Sequence, residues 1–163
     1  MKKIIYLIFP FIMYTLLSEC TGYKPIFTSG NISFDIAEHK IEGNEILGKK
    51  IYSKLRTLSN SKKDEQNKRS LNFLISTSKK KNATSKSSAG KILEYKITLV
   101  IKITVTDFIT DEKILNETLN SSVTYKVQDQ YSDTIKLENK SIGDLLEKTY
   151  QEFIIKLSQK IIS

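Results

Sequence analysis

Cys20 is the only cysteine of the chain, and it stands where an apolar run, Ile4 to Leu17, gives way to Ser18 and Glu19. A thiol without a second thiol cannot close an intramolecular disulfide, which leaves modification or a free sulfhydryl. Lys2 and Lys3 precede the run, the pattern of a secretory signal peptide. The run has 14 residues, whereas a spanning helix needs roughly 20. A lipid-bearing cysteine explains both position and solitude, and the alternative is an unlipidated free thiol. Other reactive groups are sparse. His39 is the sole histidine, flanked by Glu38 and Lys40, and reads as a solvated loop residue after the first strand. Asp111 and Glu112 fall in a turn, where charge serves solubility. No metal-ligand cluster, phosphate-binding loop or nucleophile elbow is present, so neither catalysis nor a cofactor is expected.

The second feature that could do chemistry is charge. The chain carries +8, with 26 bases against 18 acids. Two of those bases and one acid lie in residues 1–19, so the remainder carries +7. From Gln66 to Leu93 there are seven bases, Lys68, Arg69, Lys79, Lys80, Lys81, Lys86 and Lys91, and no acid. That stretch holds the whole excess. Concentrated lysine attracts phosphate, and outside the cytosol the candidates are anionic lipid headgroups or lipopolysaccharide, with nucleic acid excluded by compartment. Lys79, Lys80, Lys81 and Lys86 are the residues expected to contact phosphate. The plain alternative is a solvated, lysine-rich loop.

The elements that must position these residues follow from periodicity. Ile32, Phe34 and Ile36 alternate with polar residues and predict a half-buried strand. Asn44 is a plausible N-cap for a helix whose Leu47, Ile51, Leu55 and Leu58 share one face, and Ser59 to Arg69 reads as loop. Leu71, Phe73 and Ile75 predict a short second strand, after which Lys79 to Gly90, without a large apolar residue, reads as a mobile connector. Leu93, Tyr95, Ile97, Leu99, Ile101, Ile103 and Val105 make the clearest strand. Asp111 to Lys113 turns it into an antiparallel partner through Leu115, Leu119, Val123, Tyr125 and Val127. Gln128 to Lys140 is polar, and a last helix is expected from Ser141, with Asp144 in a capping-box position and Ile142, Leu145, Leu146, Thr149, Phe153, Leu157 and Ile161 as its inner stripe. The expected fold is α+β, two helices on one face of a four-stranded mixed sheet in the order β-α-β-β-β-α, with the first two strands parallel. Residues 1–19 would be the leader, 20–31 a lipidated tether, and 32–163 one domain.

Leu17-Ser18-Glu19-Cys20 resembles the bacterial lipobox, whose cysteine is lipidated and becomes the mature N-terminus. Cys20-Thr21-Gly22-Tyr23-Lys24-Pro25-Ile26-Phe27, Gly90-Lys91-Ile92-Leu93 with the long hairpin to Tyr125, and Tyr131-Ser132 ahead of the final helix resemble the LPS-assembly lipoprotein family (LptE), especially its alphaproteobacterial members. That resemblance implies a non-enzymatic protein, lipid-anchored at the periplasmic face of the outer membrane. It would plug the β-barrel LptD, help that barrel assemble, and contact lipopolysaccharide. A rival implication is an accessory lipoprotein of a phospholipid-trafficking transporter, which also joins a lipobox to a small α+β domain.

Overall fold

The computed structural model describes residues 33–60 and 68–162. Cys20, the expected leader and tether, Ile32, and most of the Ser59 to Arg69 segment lie outside the described residues. The elements are β1 (Phe34–Gly43), α1 (Glu45–Asn60), β2 (Arg69–Lys86), β3 (Ile92–Asp107), β4 (Lys113–Lys126) and α2 (Tyr131–Ile162). The strands form one sheet in the order β1-β2-β3-β4. β1 and β2 run parallel, and β2–β3 and β3–β4 are antiparallel. This is the expected two-helix, four-strand α+β arrangement.

Alternation in β2 and β3 sends odd-numbered side chains to one face, and those apolar groups are the core. Leu71, Phe73, Ile75, Ile97, Leu99, Ile101, Ile103 and Val105 are all buried. Leu47, Ile51 and Leu55 of α1 and Leu146, Phe153 and Leu157 of α2 close that core from the other side. The lengths match. Thirty-two helical residues span about 48 Å at a rise of ~1.5 Å per residue, close to the reach of a 14-residue strand such as β4 at ~3.4 Å per residue. α2 therefore runs back along β4 for nearly its whole length. Ser121 and Thr149 hydroxyls meet at 3.1 Å midway, and Lys156 pairs with Glu117 at 2.8 Å towards the helix end.

Two junctions are set by backbone chemistry. At the first, Gly43 adopts φ +78°, a region costly to any side-chain-bearing residue. The Asn44 amide then donates to Thr77 O at 2.8 Å, and Thr77 Oγ1 donates to Asn44 O at 2.7 Å. Asn44 also caps α1 as expected, its Oδ1 accepting from the Leu47 amide at 3.2 Å. At the second, Asp107 closes the β3–β4 turn by accepting from the Ile109 and Thr110 amides at 2.9 and 3.1 Å. Its bond from Arg69 Nε, 2.6 Å long, together with those amides, holds the carboxyl down at about 2.

Three expectations are corrected. β2 is not short and Lys79 to Gly90 is not a connector: the strand continues to Lys86, and only Ser87 to Lys91 turns. The extension pairs in register with β3 from Lys79↔Leu99 to Ala83↔Tyr95 and, past two irregularities, reaches Lys86↔Ile92, so it needs no apolar residues of its own. The last helix begins at Tyr131, ten residues before Ser141, which lies buried in its interior. The helical stripe was hidden because Thr134, Glu138 and Ser141 occupy the inward positions, where Thr134 bonds the Gln128 amide and Glu138 bonds Lys81 and Tyr125. His39 lies within β1, not after it, with its ring stacked on Tyr52 of α1 at 3.7 Å and 9°. β4 ends at Lys126, and Val127 follows it with an amide bonded to Leu93 O at 2.9 Å.

Candidate functional site: a basic sheet end and an uncovered sheet face

The four lysines singled out for phosphate contact all lie on β2, but the fold does not bring them to one face. Lys79 and Lys81 have core-side parity and meet α2. Lys81 Nζ donates to Glu138 Oε2 at 2.5 Å, and Lys79 Nζ approaches Glu138 Oε1 at 3.9 Å. The Tyr125 hydroxyl donates to the same Oε2 at 2.9 Å. Lys81 sits over the Tyr95 ring, 4.3 Å from its centroid, a cation–π contact on the wall of the same cluster. Lys80 points to the opposite face, and Lys86 lies beyond the irregularities after Ala83. Among the described residues neither forms an ion pair.

Glu138 is 8% exposed, so burial alone would raise its pKa; the bonds from Lys81 and Tyr125 outweigh that and hold it below the usual carboxylate range. Burial likewise pulls Lys81 down, but Glu138 and Tyr125 together push it up to about 12. Burial raises the Tyr125 hydroxyl. The cluster is thus an ion pair with an aromatic clamp, fastening the start of α2 to the far end of the hairpin. Its carboxylate contribution is present above the unfolded value near 4.5 and is lost as pH falls through the lower folded value. Glu138→Gln should cost about 2 kcal/mol at neutral pH, the scale of one charged hydrogen bond, since Lys81 stays 32% exposed and water recovers the rest. Urea unfolding as a function of pH checks this: the two proteins should differ at pH 7, and the difference should shrink as pH falls below 4.5.

The other face of the sheet is uncovered by any described element. Even-numbered positions of β2, β3 and β4 line it: Lys80 beside Thr98, Lys96 between Asn82 and Thr124, and Lys102 between Ser76 and Thr118. Thr104 Oγ1 donates to Asn116 Oδ1 at 3.1 Å across it. Lys96 and Lys102 were missed as site residues because within an alternating strand they read only as the polar half of the pattern. Toward β1 lies a shallow cavity of about 310 Å³ whose lining includes Glu38, His39, Lys40, Asn72, Thr104 and Thr106. Asn72 Oδ1, buried at its edge, has no hydrogen-bond partner among the described residues. A second hollow of about 410 Å³ lies where α1 and α2 meet, beside Lys54 and Tyr150. There burial, with the charge of Glu147, pushes the Tyr150 hydroxyl up to about 12. Among the described residues no group of histidine, cysteine or carboxylate side chains is placed to hold a metal ion, and no helix is long and apolar enough to cross a membrane.

A strand, a crossing helix, a three-stranded meander and a long return helix is a specific arrangement, and solved structures of similar fold are known. An uncharacterized lipoprotein B from Nitrosomonas europaea superposes with a TM-score of 0.54 at 12% identity, over 76% of this chain and 81% of that one. A minor lipoprotein from Acinetobacter baumannii gives 0.54 at 10%, over 78% and 93%. Both share this fold. The rare lipoprotein B of Shewanella oneidensis aligns over 77% of this chain and 93% of its own, with a TM-score of 0.45 at 12% identity. No family model and no curated protein matches the sequence.

Proposed function

We propose that this chain is a lipoprotein of the lipopolysaccharide export machinery, lipidated on Cys20 and held at the periplasmic face of the outer membrane. In that role it would be an LptE-like companion of the barrel LptD, of the alphaproteobacterial type that its Cys20 to Phe27 start resembles, plugging the barrel and aiding its assembly. The supporting observation is a conjunction: a lone cysteine closing a leader-like run, joined to a sheet-and-helix fold shared with two lipoproteins. The action is binding, with no catalytic step and no cofactor. Lysines meeting phosphates of lipopolysaccharide act as point charges, so the contact weakens with salt beyond a screening length of ~10 Å at 0.1 M.

The deciding experiment is purification of an epitope-tagged chain from envelopes in mild detergent. A large, heat-modifiable barrel should accompany it. An inner-membrane transporter in its place would overturn the proposal in favour of phospholipid trafficking. For the ligand, replacing Lys79, Lys80, Lys81 and Lys86 by glutamine should weaken lipopolysaccharide binding at low salt and flatten its salt dependence. Because Lys79 and Lys81 also neutralise Glu138, the pair Lys80→Gln and Lys86→Gln is the cleaner test. Unchanged binding in both sets would reduce this stretch to solvated surface.

A further inference from the structure

β2 is paired on one side along nearly its full length and on the other along only half of it. Against β3 the register runs from Leu71↔Asp107 to Lys86↔Ile92, whereas β1 leaves the sheet at Gly43↔Thr77. From Ser78 onward no strand among the described residues lies on the β1 side of β2, and Ser78 to Thr84 are all exposed. Alternation fixes which backbone groups face that vacancy. Thr77 O turns toward β1, where it accepts from Asn44 N at 2.8 Å. With a period of two, the N–H and C=O groups of Lys79, Lys81 and Ala83 must turn the same way. Unpaired edges of this kind template further strands, and main-chain bonds then give affinity while side chains choose the partner.

We propose that this edge of β2, Ser78 to Lys86, is a docking slot for an extended acidic segment of a partner protein, which would lie as a fifth strand in line with β1. The slot is about 30 Å long at ~3.4 Å per residue. Lysine stands on both of its faces: Lys80 on the bare side, and on the helix side Lys79 and Lys81, which share the one carboxylate of Glu138 and so leave a net positive charge there too. Like charges placed opposite one another destabilise a strand pair, which disfavours a second copy of this edge as occupant. Glutamate or aspartate at those positions is favoured instead. The inference stands independently of the lipopolysaccharide reading, since it uses only strand pairing and charge.

The test is amide NMR on the isotope-labelled full-length chain in detergent micelles, titrated with a synthetic peptide alternating glutamate and valine. Lys79, Lys81 and Ala83 amides should shift and become roughly tenfold slower to exchange, as hydrogen bonding to a new strand requires. A peptide with lysine in place of glutamate should do neither. Ala83→Pro removes an outward N–H without touching the β3 ladder and should weaken binding by roughly tenfold or more at an unchanged melting temperature. Should that variant fold poorly, Lys80→Glu with Lys86→Glu provides the same reading through charge. Equal affinity in the variants, shifts confined to the outer edge of β4, or full protection of these amides before peptide is added would each overturn the proposal.

Discussion

Replacing Cys20 by alanine should move the protein from the membrane fraction to the soluble periplasm almost completely. The size of the effect follows from the arithmetic of acyl chains. Each methylene buried in a bilayer is worth about 0.8 kcal/mol, one myristoyl-sized chain gives only marginal, reversible attachment, and more than one makes it stable. The described residues contain no helix that could substitute as an anchor. The remaining hold on the envelope would be protein contact with a barrel, which an alkaline wash strips away. Fractionation after such a wash, with wild type and Cys20→Ala side by side, is the measurement. Mass spectrometry of the wild type should show a protein that begins at Cys20 and carries lipid mass. An intact leader, or an unchanged membrane fraction for the variant, would remove the basis of the functional proposal.

The core was legible in the sequence because its side chains are apolar and regularly spaced. Ile97, Leu99, Ile101, Ile103 and Val105 announce a strand by period two, and Leu47, Ile51 and Leu55 announce a helix by their spacing of four. What failed was every segment whose inward positions are polar. Lys79 and Lys81 occupy the same face of β2 as Phe73 and Ile75, but what Lys81 meets there is the carboxylate of Glu138 and the ring of Tyr95. Those partners lie 57 and 14 residues away in sequence. The first turns of α2 were lost for the matching reason, since Thr134, Glu138 and Ser141 form a stripe at helical spacing that hydropathy does not see. One cluster thus concealed two element boundaries. The site lysines were legible as a local excess of charge, but their division between two faces of a strand was not, because reading them as a loop discarded the period-two geometry that separates Lys80 from Lys79 and Lys81. Lys96 and Lys102 show the converse: correctly placed on a strand, they drew no attention until the opposite face proved bare.

Gly43→Ala should destabilise the folded state by about 3–5 kcal/mol, a large part of the 5–15 kcal/mol that an ordinary domain possesses. Three causes act at one junction. Alanine at φ +78° costs roughly 1–2 kcal/mol by itself. Its Cβ would then stand 2.2 Å from Thr77 O, a backbone atom that cannot rotate aside. Relieving that clash moves Thr77 away from Asn44 and breaks the two bonds between them, 2.8 and 2.7 Å long, each worth about 1 kcal/mol. The α1 cap depends on the same asparagine, so helix and strand loosen together. The control is Gly143→Ala on the exposed side of α2, where nothing lies within 4 Å of the added methyl group. There the identical substitution should stabilise by about 0.5–1 kcal/mol, through helix propensity alone. Equilibrium urea unfolding should therefore move the two midpoints in opposite directions. Equal midpoints would mean that β1 leaves the sheet by some route other than the left-handed turn at Gly43, and the free edge of β2 that begins at this junction would lose its structural basis with it.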